Sequence, residues 1–181
     1  MSSGRDAPIP GLAMLNRETE ARFDAIHQRH RDRMECRPGC SACCRARLSV
    51  TRLEEHVIRA GLEGMEPSAR QAIRERVSEP GREFCPALEQ DGRCGIYAHR
   101  PLICRGYGVP QRRHGEVPMV QPPVVDVCDL NFTDVRIDRL PQEDILEQSA
   151  IEERVDELNR AFCEERGLDE SERVPLAEIL A

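Results

Sequence analysis

The sequence predicts a mainly α, irregular single domain whose helices surround a cysteine-rich, metal-centred core, with at most one small β-hairpin. Three observations carry this reading. Several stretches repeat apolar residues at the three- and four-residue spacing of an amphipathic helix. Nine of the 181 residues are Cys. Aromatic residues make up 3% of the chain and Trp is missing, so Leu, Ile, Val and Ala must build a thin core, which a structural metal could reinforce.

The elements follow in chain order. Residues 1–14 are expected to be a disordered tail, 15–135 the cysteine-cluster domain, and 136–181 an acidic helical segment packed on it. "RETEARFDAIHQRHRDRME" reads as a helix with Phe23, Ile26 and Met34 on its apolar stripe. It delivers the chain to Cys36. In "SVTRLEEHVIRAGLEG", Thr51 and Glu54 have capping-box spacing and Gly61 offers a stop. A second helix is predicted from about Ser68 to the Pro80-Gly81 break.

Residues 84–97, "FCPALEQDGRCGIY", have the pattern of a hairpin around Asp91-Gly92, with Cys85 and Cys94 on its arms. "HRPLICRGYGVP" predicts a short helix opened by Pro101 and carrying Cys104. "VPMVQPPVVDVCDL" is too rich in Pro for a central strand and is expected to be an extended edge or loop presenting Cys128. The clearest helix is "PQEDILEQSAIEERVDELNRAFCEERG", with Ile151, Val155, Leu158 and Phe162 on one stripe.

The N-terminal residues lack an apolar run of signal-peptide length, and no stretch is long enough to span a membrane, so a cytoplasmic location is expected. Thiols are kept reduced there, which favours metal ligation over a disulfide framework. Cys40 and Cys43 have the spacing that lets one turn grip a metal, and Cys36 adds a third thiol just before them. Cys44 adjoins Cys43. Because neighbouring side chains tend to diverge, the pair is expected to serve different centres or different atoms of one cluster. Cys85, Cys94, Cys104 and Cys128 bring the candidate ligands to eight. Cys163 lies beside the last apolar stripe and reads as a buried or free thiol. The five His are scattered, and His99 is the one nearest the candidate ligands.

All 26 basic residues are Arg, so neither a Schiff-base lysine nor a P-loop lysine is available. The formal charge is −7, and the acids concentrate after residue 131, where a solvated helical face is expected. By contrast, residues 36–53 (Arg37, Arg45, Arg47, Arg52) and 92–115 (Arg93, Arg100, Arg105, Arg112, Arg113) contain no carboxylate. Guanidinium groups there would offset the negative charge of a thiolate-bound metal.

Taken together, Cys36-x3-Cys40-x2-Cys43-Cys44, "FCPAL" and "GRCGIYAHRPLICRGYG" resemble the CxxCxxCC, or YkgJ-like, family of cysteine-cluster domains, described as zinc- or iron-chelating. The likeness spans about residues 36–108. It implies Cys36, Cys40, Cys43, Cys44, Cys85, Cys94 and Cys104 as metal ligands, accompanied by Ile96, Tyr97, Arg100, Pro101 and Arg105. One departure is the three-residue gap between the first two cysteines.

The expected function is that of a metal-binding protein holding zinc or an iron-sulfur cluster for structural, metal-handling or redox use. Its expected partners are metal ions; no protein partner is specified, and no membrane association is expected. An alternative is an enzyme or enzyme accessory with an iron-sulfur cluster. The Cys36, Cys40 and Cys43 spacing equals that of radical-SAM enzymes, and the family motif also occurs in a flagellin lysine methylase. However, the chain is short for a radical-SAM barrel and Cys44 has no place in one. A zinc-dependent interaction module is the third reading, and net acidity with few aromatic residues argues against nucleic acid.

Overall fold

The computed structural model describes residues 8–114 and 123–181. It bears out the mainly α class: about 53% of the described residues are helical, and the strands are short. The helices are α1 (Pro8–Arg29), α2 (Arg52–Glu63), α3 (Pro67–Val77), α4 (Leu102–Gly106), α5 (Gln148–Arg166) and α6 (Leu176–Ile179). The strands are β1 (Ser49–Val50), β2 (Gln111–Arg113), β3 (Val124–Asp126), β4 (Leu146–Glu147) and β5 (Val174–Pro175). Among the described residues no helix is long and apolar enough to cross a membrane.

Two compact units emerge, each assembled from separate stretches of chain. The first is built mainly of Arg37–Pro101 and Glu157–Ala181. Thr51 caps α2 with a complete capping box: its side chain accepts from the Glu54 N–H, and the Glu54 side chain accepts from the Thr51 N–H. α2 continues through Gly61 and ends at Gly64, which serves as its C-cap. The reason lies in space rather than in local sequence. A Cβ on Gly61 would fall 2.2 Å from the His99 ring, so this glycine leaves room for an imidazole against the helix. Pro67 opens α3, where its missing N–H costs no hydrogen bond.

Ile58, Leu62, Ile73, Ala87, Ile96, Val174, Leu176 and Ile179 form the core of this unit. β1 and β5 pair antiparallel, Val50 opposite Val174. The expected hairpin over 84–97 contracts to a tight turn with one bridge, Leu88 to Cys94. Gly92 takes the left-handed conformation there, with φ of +82°.

The second unit is built of Gly11–Cys36 and Leu102–Asp156. Its core gathers Ile26, Met34, Val109, Phe132 and Leu146. The tail expected over residues 1–14 gives way to helix at Pro8. Leu12 and Leu15 are buried, and that apolar burial holds the first turns of α1 in helix. α1 ends at Arg29, and a 3-10 turn over Arg31–Arg33 completes the stretch expected to be helical.

β2 lies between β3, antiparallel, and β4, parallel. Only the end of the Pro-rich stretch falls within the described residues, and there β3 is the expected edge strand. α4 follows Pro101 as expected and carries Cys104. Asp144 accepts from Arg29 Nε at 2.7 Å and faces His30 Nε2 at 2.8 Å.

Candidate metal centre

In the first unit the cysteine loop is shaped by its backbone. Gly39 has a φ of +93°, and the Cys40 N–H donates to the Arg37 carbonyl at 2.9 Å. A 3-10 turn over Ala42–Arg45 then carries Cys43 and Cys44. The Cys85 N–H donates to the Cys44 carbonyl at 2.7 Å, which joins the loop to the segment preceding the Asp91-Gly92 turn. Glycine is required where that turn meets the loop, because a Cβ on Gly92 would fall 2.8 Å from Gly39 Cα.

The adjacent thiols interact with each other. Cys44 donates its S–H to the Cys43 sulfur, and this bond outweighs burial in bringing the Cys43 pKa down to about 6. The same bond, reinforced by burial, holds Cys44 well above the ordinary thiol value. Burial also pushes Cys85 and Cys94 upward, and both feel the charge of Cys43. Cys43, Cys44, Cys85 and Cys94 are therefore one electrostatic group. The cations acting on it are Arg100, on Cys43 and Cys94, and Arg82 and Arg76, on Cys85.

The segment around Cys85 is further held by guanidinium groups. Arg82 Nη2 donates to the Leu88 carbonyl at 3.0 Å, and Arg76 Nε to the Pro86 carbonyl at 2.7 Å. Ile96 and Pro101 are buried, while Arg100 stacks over the Tyr97 ring at 4.1 Å. His99 is accounted for by its packing on Gly61.

In the second unit, buried Asn131 bridges two candidate ligands. Its Nδ2 donates to Cys36 Sγ at 3.3 Å, and its N–H to the Cys128 carbonyl at 2.8 Å. Gly108, with φ of +115°, closes against Cys36: a Cβ there would lie 2.7 Å from Sγ. Cys104 is half-buried on α4, and Cys40 is half-buried in the loop of the first unit. Cys163 is fully buried, with its thiol directed to Asn159 Oδ1 at 3.7 Å.

The arginines of the two acid-free windows are less available than the linear sequence suggests. Distant carboxylates meet several of them: Glu83 meets Arg45 at 3.1 Å, Glu20 meets Arg105 at 2.6 Å, Glu152 meets Arg113 at 2.7 Å, and Glu147 pairs with Arg112. From those windows Arg100 acts on the Cys43 and Cys94 sulfurs.

Among the described residues no three His, Cys, Asp or Glu side chains are already closed into metal-holding geometry. The donor set nevertheless fits a thiophilic cation in kind, with four half-buried sulfurs in mutual electrostatic reach and arginines beside them. The residues that sequence reasoning missed are Asn131, Gly39 and Gly108. The two glycines sit within the cysteine-rich stretches, a cue to close backbone approach, whereas Asn131 carries no such cue.

Residues 35–119 match the model of a family of chelating domains, CxxCxxCC, described as "Putative zinc- or iron-chelating domain". No curated protein and no solved structure matches the chain.

Proposed function

We propose that the chain is a metal-binding protein holding zinc or an iron-sulfur cluster, with Cys43, Cys44, Cys85 and Cys94 at the heart of the ligand set. Cys36, Cys40, Cys104 and Cys128 are further candidate ligands. The observation that carries the reading is that sulfurs from the cysteine loop and from the Asp91-Gly92 turn segment act on one another's charge. The match of residues 35–119 to the model of a chelating domain supports metal binding in general terms.

A zinc ion or an iron-sulfur cluster, when bound, draws thiols into the thiolate form, and Arg76, Arg82 and Arg100 offset part of the resulting negative charge. The role of this chain's residues is to bring the sulfurs into one region and to hold the Cys85 segment in place. The use that follows is a structural tie between distant segments, or reversible handling of the metal.

Elemental analysis and an anaerobic absorption spectrum test the proposal. Iron with sulfide-to-iron absorption assigns cluster chemistry, and zinc without absorption assigns a thiolate zinc site. Cys44→Ser and Cys85→Ser are each expected to lower bound metal. Full metal content in both variants would overturn this ligand set.

A further inference from the structure

We propose that a cleft beside the cysteine loop of the first unit binds a small amphipathic anion: an apolar body carrying a carboxylate or phosphate head. The cleft has a volume of about 490 Å³. Small-molecule sites typically span roughly 300–1,000 Å³. Its lining combines Arg45, Arg47, Arg76 and Arg82, with Glu79 and Glu83, and the apolar side chains of Val77, Phe84 and Leu176.

The charges of that lining, four Arg against two Glu, do not cancel. Glu83 meets Arg45, and Glu79 pairs with Arg82. Arg76 directs Nε to a backbone carbonyl, and neither Arg76 nor Arg47 meets a carboxylate among the described residues. The Arg47 guanidinium therefore has no carboxylate partner among the described residues, while Arg76 acts on the Cys85 sulfur and also lines the cleft. Guanidinium presents parallel N–H donors that match a carboxylate or phosphate edge. Arg45 already lies over the Phe84 ring at 4.3 Å, which carries positive charge onto the apolar surface.

Charge alone would favour any anion, and the apolar side chains select one with a hydrocarbon body. The bounded volume favours a small molecule over a peptide. The cleft shares Cys85, Arg76 and Arg82 with the proposed metal centre, and its own lining and volume carry this inference.

The test is titration of the full-length protein with octanoate, followed by calorimetry and by amide NMR, with metal content measured in every sample. Saturable one-to-one binding is expected, with the largest shifts at Arg47, Phe84 and Ala177. Loss of one charge-assisted contact in Arg47→Gln should weaken binding about tenfold. Ala177→Trp fills the cleft and should abolish binding, whereas Arg93→Gln, outside the cleft, should leave it unchanged. Inorganic phosphate, lacking the apolar body, should bind at least about tenfold more weakly. Three results would each overturn the proposal: failure of octanoate to saturate, parent-like affinity in both cleft variants, or binding of a polyglutamate peptide in preference to octanoate. Parent protein that binds octanoate but carries no metal would count against the metal reading and not against this one.

Discussion

Asn131 Nδ2 lies 3.3 Å from Cys36 Sγ and 2.7 Å from the Gly108 carbonyl oxygen, so a single buried amide holds both a thiol and the turn that closes on it. Asn131→Ala removes this donor and strands a buried carbonyl. A loss of about 1–3 kcal/mol is expected, read as a shift in the denaturant midpoint. An unchanged midpoint would mean that the amide is not what secures Cys36.

Gly61 and His99 form a second dependent pair. Gly61→Val places side-chain atoms where the imidazole lies and should cost about 1–3 kcal/mol through overpacking. His99→Ala should relieve most of the clash, so the double variant is expected to be more stable than Gly61→Val alone. A simple sum of the two single effects, measured by chemical denaturation, would refute the pairing.

The thiol group makes a prediction in pH. In metal-free, reduced protein the Cys43 thiolate, with a pKa of about 6, is stabilised by the Cys44 S–H. Its alkylation by iodoacetamide should therefore persist at pH values where an ordinary thiol is already protonated and slow. Cys44→Ala removes the donor, so the Cys43 pKa should rise and the rate profile should move to higher pH. Peptide mapping of the alkylated product checks this; a profile that does not move would show that the two thiols act independently.

Asp144 makes a pH prediction of opposite practical use, because it concerns folding rather than reactivity. Burial pushes its pKa upward, but hydrogen bonds from His30 and Arg29 outweigh that effect, and the net shift is downward. A depressed carboxylate contributes stability above its unfolded pKa, about 3.9, and loses it as pH falls through the folded value. Asp144→Asn should therefore be less stable than the parent at about pH 7, with the gap closing toward about pH 2. Thermal midpoints across that range decide it, and a constant gap would contradict the coupling.

The helices were the most legible part of the sequence. The Thr51-Glu54 box, Pro67 at the head of α3 and the apolar stripe of α5 are local signals, and they operate locally. Less legible were features decided at long range. β1 and β5 are two residues each and pair across most of the chain, so neither has a periodicity to detect. Gly61 has the appearance of a helix stop, yet it serves a ring brought from residue 99. At the site, cysteine spacing pointed to the thiols, whereas the partners of the arginines, Glu20, Glu83 and Glu152, come from outside the acid-free windows.

The Gly39-Gly92 approach carries a kinetic consequence. Here backbone lies on backbone, so the cysteine loop and the turn are seated against each other without any contribution from the sulfurs. Part of the loop is thus preorganised before an ion arrives, and the ordering entropy that capture would otherwise oppose is reduced. On the proposed ligand set, metal would leave and return without the loop being rebuilt, and the rate of exchange would be set by breaking metal–sulfur bonds rather than by refolding the chain around them.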